Sequence, residues 1–435
     1  PGVAGSSPVR SATKVKNPVS LARGFLLAVF PLRRFSARCI TLFDQPWESR
    51  VNNFQFNTAA SLLCETGAAA RLSEICLARN IHRPLLVTDA GVIAAGLLQP
   101  VVDSFQAAGL AVTVFDAVVA DPSEQIVLEA LTLARAAGVD GVIGFGGGSS
   151  MDCAKLVALL VHSKQQLAQV YGVNQAAGQR LPLIQVPTTA GTGSEVTAVA
   201  IVTTGEHTKA GVVASQLLPD LAVLDAQLTV GLPAAITAAT GIDAMVHAIE
   251  AYTGALGKNP YSDMLAMQAL RLLGGNIRTA VADGGNLKAR QAMLLGACLA
   301  GQAFANSPVA AVHALAYPLG GRFHIPHGLS NALVLPAVMR FNSGAVAEHY
   351  ATLASAAIPG FVAGDSAEQS AERFIAALEQ LMGELKLPTR LRDMHISQSD
   401  LPVLAEDALL QQRLLVNNPR PVSYQDALAI YQAAY

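Results

Sequence analysis

From about residue 83 to residue 187, short β-branched runs alternate with amphipathic stretches. Arg83 to Asp89 reads as a strand closed by a turn, followed by an Ala/Leu-rich helix that runs through Gln99. Ala111 to Phe115 is a second strand, and Glu124 to Ala137 is predicted to be helical with Ser123 as its N-cap. Val139 to Phe145 and Leu181 to Val186 complete the strand pattern. Such alternation predicts a parallel sheet covered on both faces, with ligands binding beyond the C-terminal strand ends. After Gly231-Leu232-Pro233 the strand signals fade. Helical periodicity then covers Ala234 to Ala255, Tyr261 to Gly274, Leu287 to Phe304, Pro308 to Leu319, Ser366 to Leu385 and Tyr424 to Tyr435. Gly257, Pro260, Gly284, Pro326 and Pro359 punctuate them. The pattern predicts an α/β domain over 51–232 and an all-helical domain over 233–435.

Composition narrows the function classes. A chain of 435 residues that is 52% hydrophobic and 14% charged buries a large core, and its length suits two domains. A net charge of −2 offers no basic surface for nucleic acid. Cys39, Cys64, Cys76, Cys153 and Cys298 are scattered without a C-x-x-C, which points to a reducing compartment and no thiolate metal site. The apolar run from Gly24 to Leu32 is far shorter than the ~18–20 residues of a membrane helix. A cytoplasmic enzyme with no membrane or nucleic-acid partner is expected. Residues 1–43 differ from the rest, with seven Lys or Arg and no acid before Asp44. The extension over 1–50 is expected to be disordered non-native sequence ahead of a start at Val51. The other reading is an organellar targeting peptide, which would make the protein mitochondrial.

Two loops at strand ends carry candidate chemistry. Gly144-Phe145-Gly146-Gly147-Gly148-Ser149-Ser150-Met151-Asp152-Cys153-Ala154-Lys155 brings backbone and a helix N-terminus towards an anion such as a pyrophosphate. It lacks the third glycine of the usual dinucleotide fingerprint, and Asp152 and Lys155 suit cofactor contact or ordinary first-turn charges equally. Pro187 to Glu195, with Thr188, Thr189 and Thr192, and then Thr197, supplies hydroxyl donors beside it. Asp89 ends an earlier strand as either an acid for the ribose diol, favouring NAD over NADP, or a helix N-cap. In the helical half, Asp243 and His247 stand at i and i+4 on one helix face. With His313 and His327 they form a donor set suited to Fe(II) or Zn(II). His324 lies in the loop before His327 and is a candidate to line the site. His82, His162, His207, His349 and His395 read as surface histidines. A metal on one domain and a dinucleotide on the other put the chemistry in the cleft between them.

From about Phe54 to the C-terminus the chain resembles the iron-containing (group III) alcohol dehydrogenase family. The matching stretches are Gly146-Gly147-Gly148-Ser149-x-x-Asp152-x-Ala154-Lys155, Pro187-Thr188-Thr189-x-Gly191-Thr192-Gly193-Ser194-Glu195 and Gly241-x-Asp243-Ala244-x-x-His247-Ala248-x-Glu250. His313 to Gly321, Pro326-His327-Gly328 and Asn418-Pro419-Arg420 continue the series. The resemblance implies a dehydroquinate synthase-like fold: an α/β dinucleotide-binding domain with a parallel sheet, then an all-helical metal-binding domain. It also implies Asp243, His247, His313 and His327 as metal ligands, the two Gly/Thr-rich loops for NAD, Lys209 at the ribose and Leu228 as a wall of the cofactor pocket.

The implied reaction is reversible hydride transfer between a small alcohol and NAD, with the metal as Lewis acid. Many family members carry a histidine four residues after the third ligand; here it is Tyr317, either a proton relay or a packing residue of the cleft wall. Related activities on the same fold are hydroxyacid–oxoacid transhydrogenase, 4-hydroxybutyrate-type dehydrogenase, maleylacetate reductase and glycerol dehydrogenase. Outside redox chemistry stand a dehydroquinate-synthase-like lyase and a non-catalytic nucleotide-binding module. A homodimer is expected from an apolar strand near Phe54 to Phe56 and from the habit of relatives.

Overall fold

Neighbouring residues of the central strands go to opposite faces. Leu85, Val87 and Val142 enter one apolar core, whereas Leu86, Ile143 and Phe145 enter another. Strands buried on both sides have no polar face to present, which is why they read as unbroken apolar runs. The computed structural model describes residues 53–205 and 208–435; the basic extension and His207 lie outside the described residues.

The strands are β1 (Leu62–Cys64), β2 (Pro84–Asp89), β3 (Thr113–Val118), β4 (Gly141–Gly146), β5 (Gly172–Val173), β6 (Leu183–Pro187), β7 (Val199–Thr204), β8 (Thr208–Val213) and β9 (Leu221–Leu224). Six of them form a parallel sheet in the order β1-β9-β6-β4-β2-β3. Five helices accompany them: α1 (Leu72–Leu77), α2 (Ala90–Ala94), α3 (Gln99–Ala107), α4 (Glu124–Ala137) and α5 (Gly148–Leu160). The pairing of β4 with β6 ends in register at Gly146 and Pro187, so the glycine loop and the threonine loop emerge side by side. The antiparallel pair β7/β8 was not anticipated, although two β-branched runs about Gly205 are a fair hairpin signal. Ser123 holds the extended N-cap backbone expected for α4, but its side chain accepts no capping bond. Its backbone instead bridges to Thr203, near the end of β7 in a second, three-stranded sheet of order β5-β8-β7.

The helical half contains α6 (Ala234–Thr253), α7 (Pro260–Ala282), α8 (Leu287–Asn306), α9 (Ala311–Phe323), α10 (His327–Ala357), α11 (Ala367–Glu384), α12 (Leu401–Leu409), α13 (Gln412–Leu415) and α14 (Tyr424–Ala434). The change from strand to helix falls between β9 and α6. The halves share their largest core, in which Val196, Ala222 and Leu224 pack among the helices, and all described residues belong to one compact unit. Gly193 and Gly301 fasten the threonine loop to α8, because a Cβ on Gly193 would lie 2.5 Å from the Gly301 Cα. Helix α10 escaped the periodicity reading. It contains Pro336, it kinks at Val346, and its apolar residues surround it on most sides. Residues 54–56 form no strand in the single chain; the rings of Phe54 and Phe56 lean on Tyr261 at 5.8 and 5.6 Å. Among the described residues no single helix is long and apolar enough to cross a membrane.

Candidate metal centre and its cleft

Helix α6 is buried from Gly241 to Ala251, and it places Asp243 and His247 one turn apart inside the protein. His313 arrives from the first turn of α9, and His327 is the first residue of α10. Four ligand atoms, one from each residue, fall within 4.8 Å of one another. Asp243 Oδ1 lies 3.7 Å from His327 Nε2 and 4.0 Å from His313 Nε2, spans that one cation with donor bonds of ~2.1 Å would bridge. The His247 ring stacks between Phe304 at 4.3 Å and His313 at 4.7 Å, which sets its plane.

The electrostatics put the donors in their ligating forms. Burial drives the His247 imidazole down to about 3 and that of His327 to about 4, so both keep a free lone pair at neutral pH. Burial alone would raise the Asp243 carboxyl. The surrounding imidazoles and the Asn331 amide outweigh it and hold the group below the ordinary carboxylate range.

Two residues that the sequence reading left without a role complete this shell. Glu250 is buried two turns after Asp243 on α6. Its Oε2 lies 2.6 Å from His313 Nδ1 and accepts from the Ala310 amide at 3.0 Å, while Oε1 accepts from the Val312 amide at 2.7 Å. The carboxylate therefore fixes the Nδ1–H tautomer and leaves His313 Nε2 for a metal. Asn331 follows His327 by one turn of α10. Its Nδ2 lies 2.6 Å from Asp243 Oδ1, 3.2 Å from His313 Nε2 and 3.3 Å from His327 Nε2. This NH2 donates to Asp243 and stands within reach of both imidazole nitrogens, with two hydrogens to share among the three. The Asn331 Oδ1 is buried without a hydrogen-bond partner, whereas the His247 ring has the Gly191 backbone beside it. A carboxylate and three imidazoles, with a buried amide oxygen left unpartnered beside them, fit Fe(II) or Zn(II). Glu250→Gln is expected to weaken metal binding by roughly 10–100-fold, measured by competition with a coloured chelator, with an unchanged circular dichroism spectrum.

The centre opens on a cleft of about 320 Å³. From the sheet side Gly148, Ser149, Asp152, Thr192, Thr197 and Lys209 line it, and from the helical side His247, His313, Tyr317 and His327. Asp152 and Lys155 also tie the two loops together. Lys155, fully buried, donates to Ser194 Oγ at 2.7 Å, Thr197 Oγ1 at 3.0 Å and the Val199 carbonyl at 2.6 Å. Asp152 accepts from Ser194 Oγ at 2.6 Å and the Ile201 amide at 2.9 Å. Lys209 pairs with Asp121 at 2.6 Å and lies 5.8 Å from the centre of the Tyr317 ring.

Other candidates stand back from the cleft. Gly147 is the N-cap of α5 and faces Thr189 across the two loops. Gly146 ends β4, and Thr188, at the end of β6, is buried. Asp89 caps α2 through the Val92 amide at 3.1 Å, and its second oxygen accepts from Ser150 Oγ at 3.1 Å. Leu228 packs in the core on one face of the sheet and does not line the cleft. His324 is exposed in the left-handed conformation (φ 54°) that closes α9, also away from the lining.

A metal centre on buried helices beside paired Gly- and Thr-rich loops agrees with what known families show. Residues 59–226 match the family model for iron-containing alcohol dehydrogenase, and residues 237–435 match the C-terminal model of the Fe-containing alcohol dehydrogenase family. The chain belongs to the iron-containing alcohol dehydrogenase family. It is 42% identical over 354 residues to long-chain-alcohol dehydrogenase 1 of Geobacillus thermodenitrificans, covering 81% of this chain and 89% of that protein. The solved structure of a 1,3-propanediol oxidoreductase superposes with a TM-score of 0.85 at 36% identity, covering 88% of this chain and all of the other. Sulfoacetaldehyde reductase from Bifidobacterium kashiwanohense, solved in complex with NAD+, superposes with a TM-score of 0.78 at 28% identity, covering 88% and 98%. This family member is thus an oxidoreductase with the fold of metal-dependent alcohol dehydrogenases: a parallel six-stranded α/β half followed by a helical half.

Proposed function

We propose that the protein is an NAD-dependent alcohol dehydrogenase that interconverts small primary alcohols and aldehydes, with Asp243, His247, His313 and His327 holding Fe(II), or Zn(II) in its place. One observation carries the reading: four converging donors share a cleft with the loops that suit a dinucleotide. When bound, the metal supplies Lewis acidity to the alcohol oxygen and the nicotinamide supplies the hydride acceptor.

The chain's own residues do the rest. The N-terminus of α5, with Ser149 and Thr192 beside it, orients the pyrophosphate. The Asp89 carboxylate, which accepts from Ser150 Oγ of α5 at 3.1 Å, would oppose a 2′-phosphate, and this supports NAD over NADP. Phe304, Pro308 and Val309 exclude water beside the ligands. Burial raises the Tyr317 phenol above its ordinary range, so it stays protonated at neutral pH and serves as a hydrogen-bond donor, not a base.

The test follows NADH absorbance with primary alcohols of increasing length, using stripped, Fe(II)-loaded and Zn(II)-loaded protein. Turnover should require metal, vanish on chelation and fall at least about tenfold with NADP. NAD binding with no turnover under either metal would overturn the reading.

A further inference from the structure

Among the described residues that line the cleft, the charged side chains are answered by partners except one. Asp121 pairs with Lys209 at 2.6 Å, Asp152 with Lys155 at 3.3 Å, and Asp243 sits among imidazoles. Arg413 lines the same cleft, and its guanidinium makes no hydrogen bond or ion pair. An unpaired cation at the edge of an active cleft is a receptor for an anion.

The base of this arginine is held firmly. It sits on the short helix α13, whose next two residues, Leu414 and Leu415, are buried at 1% and 8% exposure. Buried Asn417 donates to the Arg413 carbonyl at 3.1 Å and to the Val309 carbonyl at 3.0 Å, and its own carbonyl accepts from the Ala255 amide at 2.8 Å. Val309 is itself part of the cleft wall. Asn418, from the C-terminal motif, accepts from Asn342 Nδ2 at 2.9 Å and donates to the Arg420 carbonyl at 2.7 Å, which closes the turn. Helix α13 packs on α9, the helix that carries His313 and Tyr317, and the guanidinium charge acts on the Tyr317 phenol. The Tyr317 ring is in turn 5.9 Å from that of His327. Arg413 therefore belongs to the metal side of the cleft, whereas the α5 N-terminus and Thr192 lie on the sheet side.

We propose that Arg413 receives a terminal oxyanion of the substrate, so that this cleft selects short ω-hydroxy carboxylates or sulfonates, and the matching aldehydes, over plain alkanols. The hydroxyl end reaches the metal ligands, the methylenes cross the wall of Phe304, Pro308 and Val309, and the charged end stays at the more exposed arginine. In the oxidative direction a C–H bond of the CH2OH carbon breaks and its electron pair passes to the nicotinamide. The hydroxyl proton leaves to solvent, and NAD+ is reduced as the alcohol becomes the aldehyde. This inference rests on the dehydrogenase reading above.

The experiment compares kcat/KM of the metal-loaded enzyme for hydroxy acids and alkanols matched in chain length, with 2-hydroxyethanesulfonate as the sulfonate arm. The native enzyme should prefer the anionic substrate, and the arm with the larger preference identifies the oxyanion. In Arg413→Gln the acid-to-alkanol ratio should fall by roughly 30–100-fold, and Arg413→Lys should recover part of it. A ratio that moves by less than about threefold, or a native preference for the alkanol at every length, would overturn the proposal. If no substrate of either kind turns over, the dehydrogenase reading falls by itself, and calorimetric titration with 4-hydroxybutyrate decides the anion site. Binding at least about tenfold weaker in Arg413→Gln than in the native protein supports it, and equal binding refutes it.

Discussion

Asp243→Asn is expected to lower the affinity for Fe(II) or Zn(II) by at least ~10³-fold, about 4 kcal/mol, and to take alcohol oxidation with it. Asp243 is the only anion among the four converging donors. Neutral imidazoles offer lone pairs but no charge to offset a dication, so the carboxylate supplies the electrostatic part of the binding. The substitution preserves shape, and an asparagine oxygen still accepts from the Asn331 amide that now lies 2.6 Å from Asp243 Oδ1. The metal-free variant should therefore fold normally, with a thermal midpoint within a few degrees of the native apoprotein. Metal content after dialysis against a chelator series gives the affinity. A variant that retained native affinity would remove Asp243 from the ligand set.

Gly328→Ala is expected to damage the same centre from outside the ligand set. A Cβ at this position would lie 2.5 Å from the Ala239 carbonyl oxygen and 3.2 Å from the Asp243 Cβ. Neither neighbour is a flexible side-chain tip, so the start of α10 must withdraw from α6. His327 is the residue immediately before, and its Nε2 is 3.7 Å from Asp243 Oδ1. Overpacking of this kind costs about 1–3 kcal/mol of stability. Displacing one ligand by about an ångström should cost roughly 10–100-fold in metal affinity and in kcat/KM. Gly275→Ala is the control, because it lies in the exposed middle of α7 with nothing within 4 Å of the added atom. It should raise stability by up to ~1 kcal/mol and leave metal binding alone. Equal behaviour of the two variants would mean that the close approach of α10 to α6 does not shape the centre.

Much of the fold was legible because its signals are local. The two-sided burial of β2 and β4 shows as runs of apolar residues, and α4 shows as a periodic stripe between Gly and Pro punctuation. The pairing of Asp243 with His247 follows from the pitch of one helix. Resemblance to a family supplied His313 and His327; spacing alone could not, since they belong to two other helices. Asp89 caps α2, one of the two roles open to an acid at a strand end, and Leu228 lies in the core against the sheet, placed by neighbours that no local pattern names.

The sequence by itself thus determined the strand–helix alternation from residue 83 to residue 187, the helical character after Pro233, the loops at the strand ends and the chemical type of the donors, but neither the β7/β8 pair nor α10. Covalent neighbours and short-range periodicity carry all of that. Only the tertiary structure decided that Glu250 orients His313, that Asn331 reaches three ligand atoms and that Arg413 stands unpaired among the described residues of the cleft. Those facts depend on close approaches between segments distant in the chain, at places such as Gly328 against Ala239 and Gly193 against Gly301. They arise from packing, where the absence of one side chain fixes how near two helices come, and a linear pattern does not record that distance.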